Sequence, residues 1–282
     1  WDYGYWITTL SDRTTIIDNA TLLDWQIKKM AYSLITTPEN SWHILNSHYT
    51  EDISEYLGKE NILSWDGQTT EDWQNDYTTI KVLNDIDKGY ANLSIDERNF
   101  VDNYIAENGH VECKFISFSE AHELGIPQES CNPINRGLDA DYLLIFVAGE
   151  RIPIPDSRMS FYTLDGGADE SKKQWYMKIS NHEPAKFLQY DGITPTPYFW
   201  EKSTLGKLFP FSVYKYVEPN TNMTFDEYRT GTVPIYIKDV KYQDPENDPF
   251  ILVYASPSYF SEIPGAFTTV LIYKINPDYV IP

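Results

Sequence analysis

Trp1-Asp2-Tyr3-Gly4-Tyr5 sets one carboxylate between aromatic rings, beside a glycine that lets the backbone turn tightly. A carboxylate walled by indole and phenol accepts a hydrogen bond in a partly dry setting, where that bond is stronger than in water. Trp and Tyr are also frequent anchors of binding sites. The chemistry on offer is capture of a hydrogen-bond donor. The plainer alternative is an N-terminal strand whose aromatics fill a core while Asp2 faces solvent. A second candidate cluster is Asp169-Glu170-Ser171-Lys172-Lys173-Gln174-Trp175-Tyr176-Met177-Lys178-Ile179. On a helix, Asp169, Lys172, Tyr176 and Ile179 fall within an arc of about 80°, so one face carries them together. Gly166-Gly167 allows a sharp turn ahead of it, and Asp169 suits the positive N-terminal end of a helix. Taken singly, each residue has a plainer role: Asp169 a helix cap, Lys172 its ion-pair partner one turn on, Ile179 core.

After the opening residues, Trp6-Ile7 leads to Arg13-Thr14-Thr15-Ile16-Ile17-Asp18-Asn19-Ala20-Thr21. This order resembles the start of the soluble C-terminal domain of archaeal-type oligosaccharyltransferase catalytic subunits. In that family a Trp-Trp-Asp-Tyr-Gly motif precedes a hydrophobic stretch, then Arg-Thr-Thr and Asp-Asn-x-Thr. The sequence here opens on the second of those tryptophans. One class of the family also carries Asp-x-x-Lys-x-x-x-Met-x-x-Ile, which Asp169, Lys172 and Ile179 match in register. Tyr176 stands at the Met position, where packing is its expected role. Residues 193–197, 203–209 and 211–216 resemble the close of the family's core region, whereas residues 50–139 carry no family landmark.

The resemblance implies that the chain helps recognise the Asn-x-Ser/Thr acceptor during N-glycosylation. Trp1, Asp2, Tyr3, Gly4, Asp169, Lys172, Tyr176 and Ile179 become the acceptor-binding residues. Asp2 receives the hydroxyl of the Ser or Thr two places after the Asn, and Ile179 meets the Thr methyl. The implied reaction moves a preassembled glycan from a lipid carrier to the Asn side-chain nitrogen. No catalytic residue is expected within these residues. The resemblance places the divalent cation (Mn or Mg) and the lipid-phosphate site in a multi-span membrane part ahead of residue 1. It sets the chain on the extracytoplasmic face of a membrane, with an acceptor polypeptide and a lipid-linked oligosaccharide as partners. Two other classes compete. One is an extracellular carbohydrate-binding or glycoside-hydrolase-like domain, for which no acid pair stands out. The other is a structural cell-surface module.

The formal net charge of the 282 residues is -20, which repels nucleic-acid phosphates and anionic headgroups. Aromatic residues make up 15% of the chain, which argues for a packed fold over disorder. No apolar run approaches the roughly 18 residues of a membrane helix; the longest lies at residues 142–148. No signal peptide is visible. Cys113 and Cys131, with sequons at Asn19, Asn92 and Asn222, point to an extracytoplasmic domain with one disulfide. His110, Cys113, His122 and Cys131 match no trusted zinc spacing. The acidic run Asp244-Pro245-Glu246-Asn247-Asp248 reads as a solvated turn rather than a calcium loop.

The elements that must position these residues follow from periodicity. Residues 2–17 read as two short strands. Thr21 then caps a helix with Leu23, Ile27, Met30 and Leu34 on one face, which Pro38 stops. A short helix follows over 39–44, another opens at Ser94 and ends at Gly109, and a strand is expected over 110–118. The continuous apolar run 143–147 suits a strand covered on both faces, as in a parallel α/β sheet. Strands are also expected over 233–241, 250–255 and 267–275. The fold class expected is mixed α+β. Its central α/β core spans 1–49 and 140–216, with a predominantly helical N-terminal half. Residues 50–139 form an inserted subdomain, and 217–282 a β-rich peripheral one.

Overall fold

The computed structural model describes residues 15–16, 24–48, 51, 53–57, 81–82, 86–87, 95, 137–154, 160–164 and 167–281. The chain divides into two compact units, residues 1–27 with 47–138 and residues 28–46 with 139–282. The expected opening strands and the Thr21 cap lie outside the described residues, apart from Thr15 and Ile16. So do the helix after Ser94 beyond Ile95, the strand at 110–118, and Cys113, Cys131, His110 and His122. In the first unit, Ile53 and Leu57 are buried around a short 3-10 turn at Ser54–Tyr56. Strands β1 (Lys81–Val82) and β2 (Ile86–Asp87) pair antiparallel.

The second unit is built on one sheet. Its strands are β3 (Tyr142–Pro153), β4 (Ser160–Thr163), β5 (Phe211–Val217), β6 (Thr224–Phe225), β7 (Val233–Lys238), β8 (Phe250–Ala255) and β9 (Gly265–Ile275). They lie in the order β6-β5-β7-β4-β3-β9-β8, and every neighbouring pair is antiparallel. The mixed α+β class is therefore observed, but the parallel arrangement expected from the 143–147 run is not. An apolar run reports that both faces are covered, and a central antiparallel strand between β4 and β9 meets that condition equally well. Residues 217–282 also do not stand apart. β9 pairs with β3 along ten residues, from Tyr142↔Lys274 to Arg151↔Gly265, so the C-terminal strands complete the same sheet.

Helices pack on this sheet and prolines start several of them. α1 (Asp24–Ile35) is followed by α2 (Pro38–Asn46), and Pro38 therefore both follows one helix and opens the next. Pro is suited to that first position because its missing N–H has no helical partner there. Of the stripe expected on α1, Leu34 is buried, while Ile27 and Met30 are half-buried. The second half of α1 is enclosed on every side, residues 31–36 all being buried, so a single apolar stripe understates its burial. Trp42 Nε1 of α2 donates to the Asn276 carbonyl at 2.7 Å, and the Trp42 ring meets Tyr279 edge-on.

Further helices are α3 (Asp169–Ile179), α4 (Pro184–Phe187), α5 (Pro197–Lys202), α6 (Thr204–Leu208) and α7 (Pro257–Phe260). Thr196 caps α5 through Phe199 N–H, and Ser203 caps α6 through Gly206 N–H. Aromatic rings fill the interior, among them Tyr162 against Phe211 and Phe267, and Trp200 against Tyr236. Tyr273, fully enclosed, still satisfies its hydroxyl by donating to the Leu208 carbonyl at 2.6 Å. Gly149 permits a close approach: a Cβ there would lie 1.8 Å from the Thr163 carbonyl oxygen. No helix among the described residues is long and apolar enough to cross a membrane.

Candidate functional site

The helix expected from the Asp169–Ile179 spacing forms over those residues. Gly167, with φ +84, makes the turn into it, a conformation that side chains disfavour. Glu170 and Lys173, one turn apart, form a buried ion pair at 2.8 Å, and Lys173 also donates to the Glu170 carbonyl at 3.1 Å. Pairing within one turn keeps both charges satisfied as the helix is enclosed. At the other end Asn181 adopts φ +53 and the His182 N–H donates to the Met177 carbonyl at 2.8 Å, closing the last turn. The His182 ring sits between Tyr32 and Phe187, with Nδ1 2.8 Å from Ser180 Oγ. Burial, aided by the Lys186 charge, lowers its pKa to about 4, so the ring is neutral at neutral pH.

Asp169 does not cap its own helix. Its carboxylate is 7% exposed and turns onto β3, where Oδ2 accepts the Phe146 N–H at 2.7 Å. β4 pairs with β3 only from Glu150 to Pro153, so Phe146 lies beyond that ladder. The carboxylate thus does for Phe146 what a neighbouring strand's carbonyl would do. On Oδ1, Asp169 accepts the Tyr176 hydroxyl at 3.1 Å and faces Lys172 Nζ at 3.7 Å. Burial raises the Asp169 pKa above the usual carboxylate range, and the Phe146 N–H, Lys172 and Tyr176 oppose that rise.

Tyr176 therefore has a defined task beyond packing. Its ring is buried and its hydroxyl holds the Asp169 carboxylate. Tyr176→Phe, and equally Tyr176→Met, removes that donor. The expected loss is about 1–2 kcal/mol of folding stability, read as a lower denaturant midpoint. An unchanged midpoint would mean that the hydroxyl contributes nothing net.

The four residues of the expected face separate by burial. Asp169 and Tyr176 are inside, whereas Lys172 and Ile179 keep partial exposure at the rim. The inner pair can hold the helix, and only the outer pair can touch a ligand directly. Beside them lies a residue that the spacing argument passed over. Trp175 is 55% exposed, and Lys178 Nζ lies 4.9 Å from its ring centroid. The available signal was an indole one turn before Ile179. The Phe146 docking point, 23 residues upstream of Asp169, had no signal in the sequence. Trp1, Asp2, Tyr3 and Gly4 lie outside the described residues. Among the described residues, no three His, Cys, Asp or Glu side chains are grouped to hold a metal ion. No family model, curated protein or solved structure matches the chain.

Proposed function

We propose that the chain is the acceptor-binding globular part of an oligosaccharyltransferase, the enzyme that transfers a lipid-linked oligosaccharide to Asn in Asn-x-Ser/Thr. The observation that carries the reading is α3. Its Asp169, Lys172 and Ile179 stand at the motif's spacing on a formed helix, and the helix is pinned to β3 by Asp169. A helix fixed in this way presents Lys172 and Ile179 at set positions, and preorganised contacts lose little entropy on binding. The Trp1-Asp2-Tyr3-Gly4 sequence supports the reading independently.

In this function the Asp2 carboxylate accepts the acceptor hydroxyl, and Ile179 supplies apolar surface for a Thr methyl. The Asn side-chain nitrogen forms the new bond to the sugar, loses a proton, and the lipid phosphate departs. In this reading a divalent cation and the lipid-linked donor belong to a membrane part at the extracytoplasmic face. Asp169 and Tyr176 act as positioning residues.

The test is transfer from a lipid-linked oligosaccharide by the membrane-bound enzyme. Asn-x-Thr peptides are expected to be glycosylated and Asn-x-Val peptides, which keep the shape and lack the hydroxyl, are not. Equal transfer to both would end the proposal. Ile179→Ala should weaken the preference for Thr over Ser by about tenfold, the lower part of the about 1–3 kcal/mol that a methyl contact is worth, because Ile179 is only half-buried. The ratio of kcat/KM for the two peptides measures it. Hydrolysis of free oligosaccharides by these 282 residues alone would favour a glycosidase instead.

A further inference from the structure

We propose that Trp175 and Lys178, beside Ile179 on α3, read an acidic side chain on the acceptor residue that follows the hydroxyl-bearing one. This rests on the acceptor-binding reading above and extends it to a neighbouring subsite. Trp175 precedes Ile179 by four residues and follows Lys172 by three, so the three side chains line one strip of the helix. The indole is more than half exposed, and the Lys178 ammonium is held over its ring. Such a pair offers an apolar face and a charge at one point, the combination found at strong contact positions.

The charge around this strip differs from that of the rest of the molecule. The whole chain carries -20, yet residues 171–182 contain three lysines and no acid. Lys173 is turned inward to Glu170 and Lys172 sits half-buried 3.7 Å from Asp169, whereas Lys178 is the exposed lysine of the three. His182 is neutral at neutral pH. Lys186 extends the positive region on α4, its ammonium 4.3 Å from the Tyr198 ring, while Glu183 is the exposed acid in the intervening turn. An acidic peptide is repelled by the surface in general and admitted here, so the local field selects as well as binds. The residue read is the one after the hydroxyl-bearing position. On the other side the peptide must run to the reacting Asn and the donor.

The test uses the membrane-bound enzyme with peptides in which Asn-x-Thr is followed by Glu, Gln or Lys. KM is expected to rise about threefold from Glu to Gln and again from Gln to Lys, the scale of an exposed ion pair. Lys178→Glu should reverse the order. Trp175→Ala should raise KM about fivefold for all three peptides, with Trp175→Phe in between, the change falling in KM rather than in kcat. Identical KM values for the three peptides with the unaltered enzyme overturn the inference and leave the acceptor reading standing. A Lys178→Glu effect on KM for the lipid-linked donor, with peptide preference unchanged, also overturns it and assigns the strip to the lipid phosphate. Absence of transfer to any Asn-x-Thr peptide removes the acceptor reading and this inference together.

Discussion

Asp2→Ala is expected to lower kcat/KM for an Asn-x-Thr peptide on the order of 10⁴-fold, the scale on which sites built to bind a hydroxyl reject its loss. In the proposed function Asp2 is the acceptor of that hydroxyl, with Trp1 and Tyr3 keeping water away. Removing the carboxylate leaves a partly dry hydroxyl with no acceptor, and an unmade hydrogen bond costs more there than in water. Asp2→Asn keeps a carbonyl oxygen but loses the charge, so an intermediate rate is expected. Initial rates across a peptide concentration series separate these variants. Transfer by Asp2→Ala at near the unaltered rate would remove Asp2 from acceptor recognition.

Asp169→Ala should be the most damaging change on the structural side, with a loss of about 3 kcal/mol of stability. The variant removes the acceptor of the Phe146 N–H, which donates to Oδ2 at 2.7 Å, and of the Tyr176 hydroxyl, which donates to Oδ1 at 3.1 Å. It also frees the start of α3 from β3, so acceptor binding should weaken with stability. Asp169→Asn retains a carbonyl for Phe146 and should lose less, about 1 kcal/mol. Denaturant unfolding of the three proteins provides the comparison. Equal midpoints for the Ala variant and the unaltered protein would show that the helix is held by other contacts.

The same pair of proteins gives a pH test with a definite sign. Burial raises the Asp169 pKa in the folded state, so between the unfolded and folded values the folded protein holds the extra proton. The contribution of this group is fully present below the unfolded value of about 3.9 and is lost as pH rises through the folded value. The unaltered protein should therefore lose stability relative to Asp169→Asn as pH increases across that window. A difference that stays flat, or moves the other way, would contradict a raised pKa at this carboxylate.

Several features were legible along the chain because they depend on neighbours in sequence. The α3 helix was readable from the spacing of Asp169, Lys172, Tyr176 and Ile179, since residues three and four apart share a helix face. The strands at 250–255 and 267–275 were readable from β-branched and aromatic runs, and β8 and β9 form there. Pro38 marked the break between α1 and α2, because proline has no N–H to continue the first helix.

Sequence alone determined the helix that carries Ile179, the mixed α+β class and the surplus of negative charge. These rest on local periodicity and residue chemistry. Only the tertiary structure decided that the 143–147 strand is antiparallel, that the C-terminal strands close the same sheet, and that Asp169 faces Phe146 rather than solvent or its own helix end. Strand direction and the partner of a buried carboxylate are set by contacts between residues far apart in the chain. Their free energies appear only once water has been excluded between them, so no local spacing encodes them.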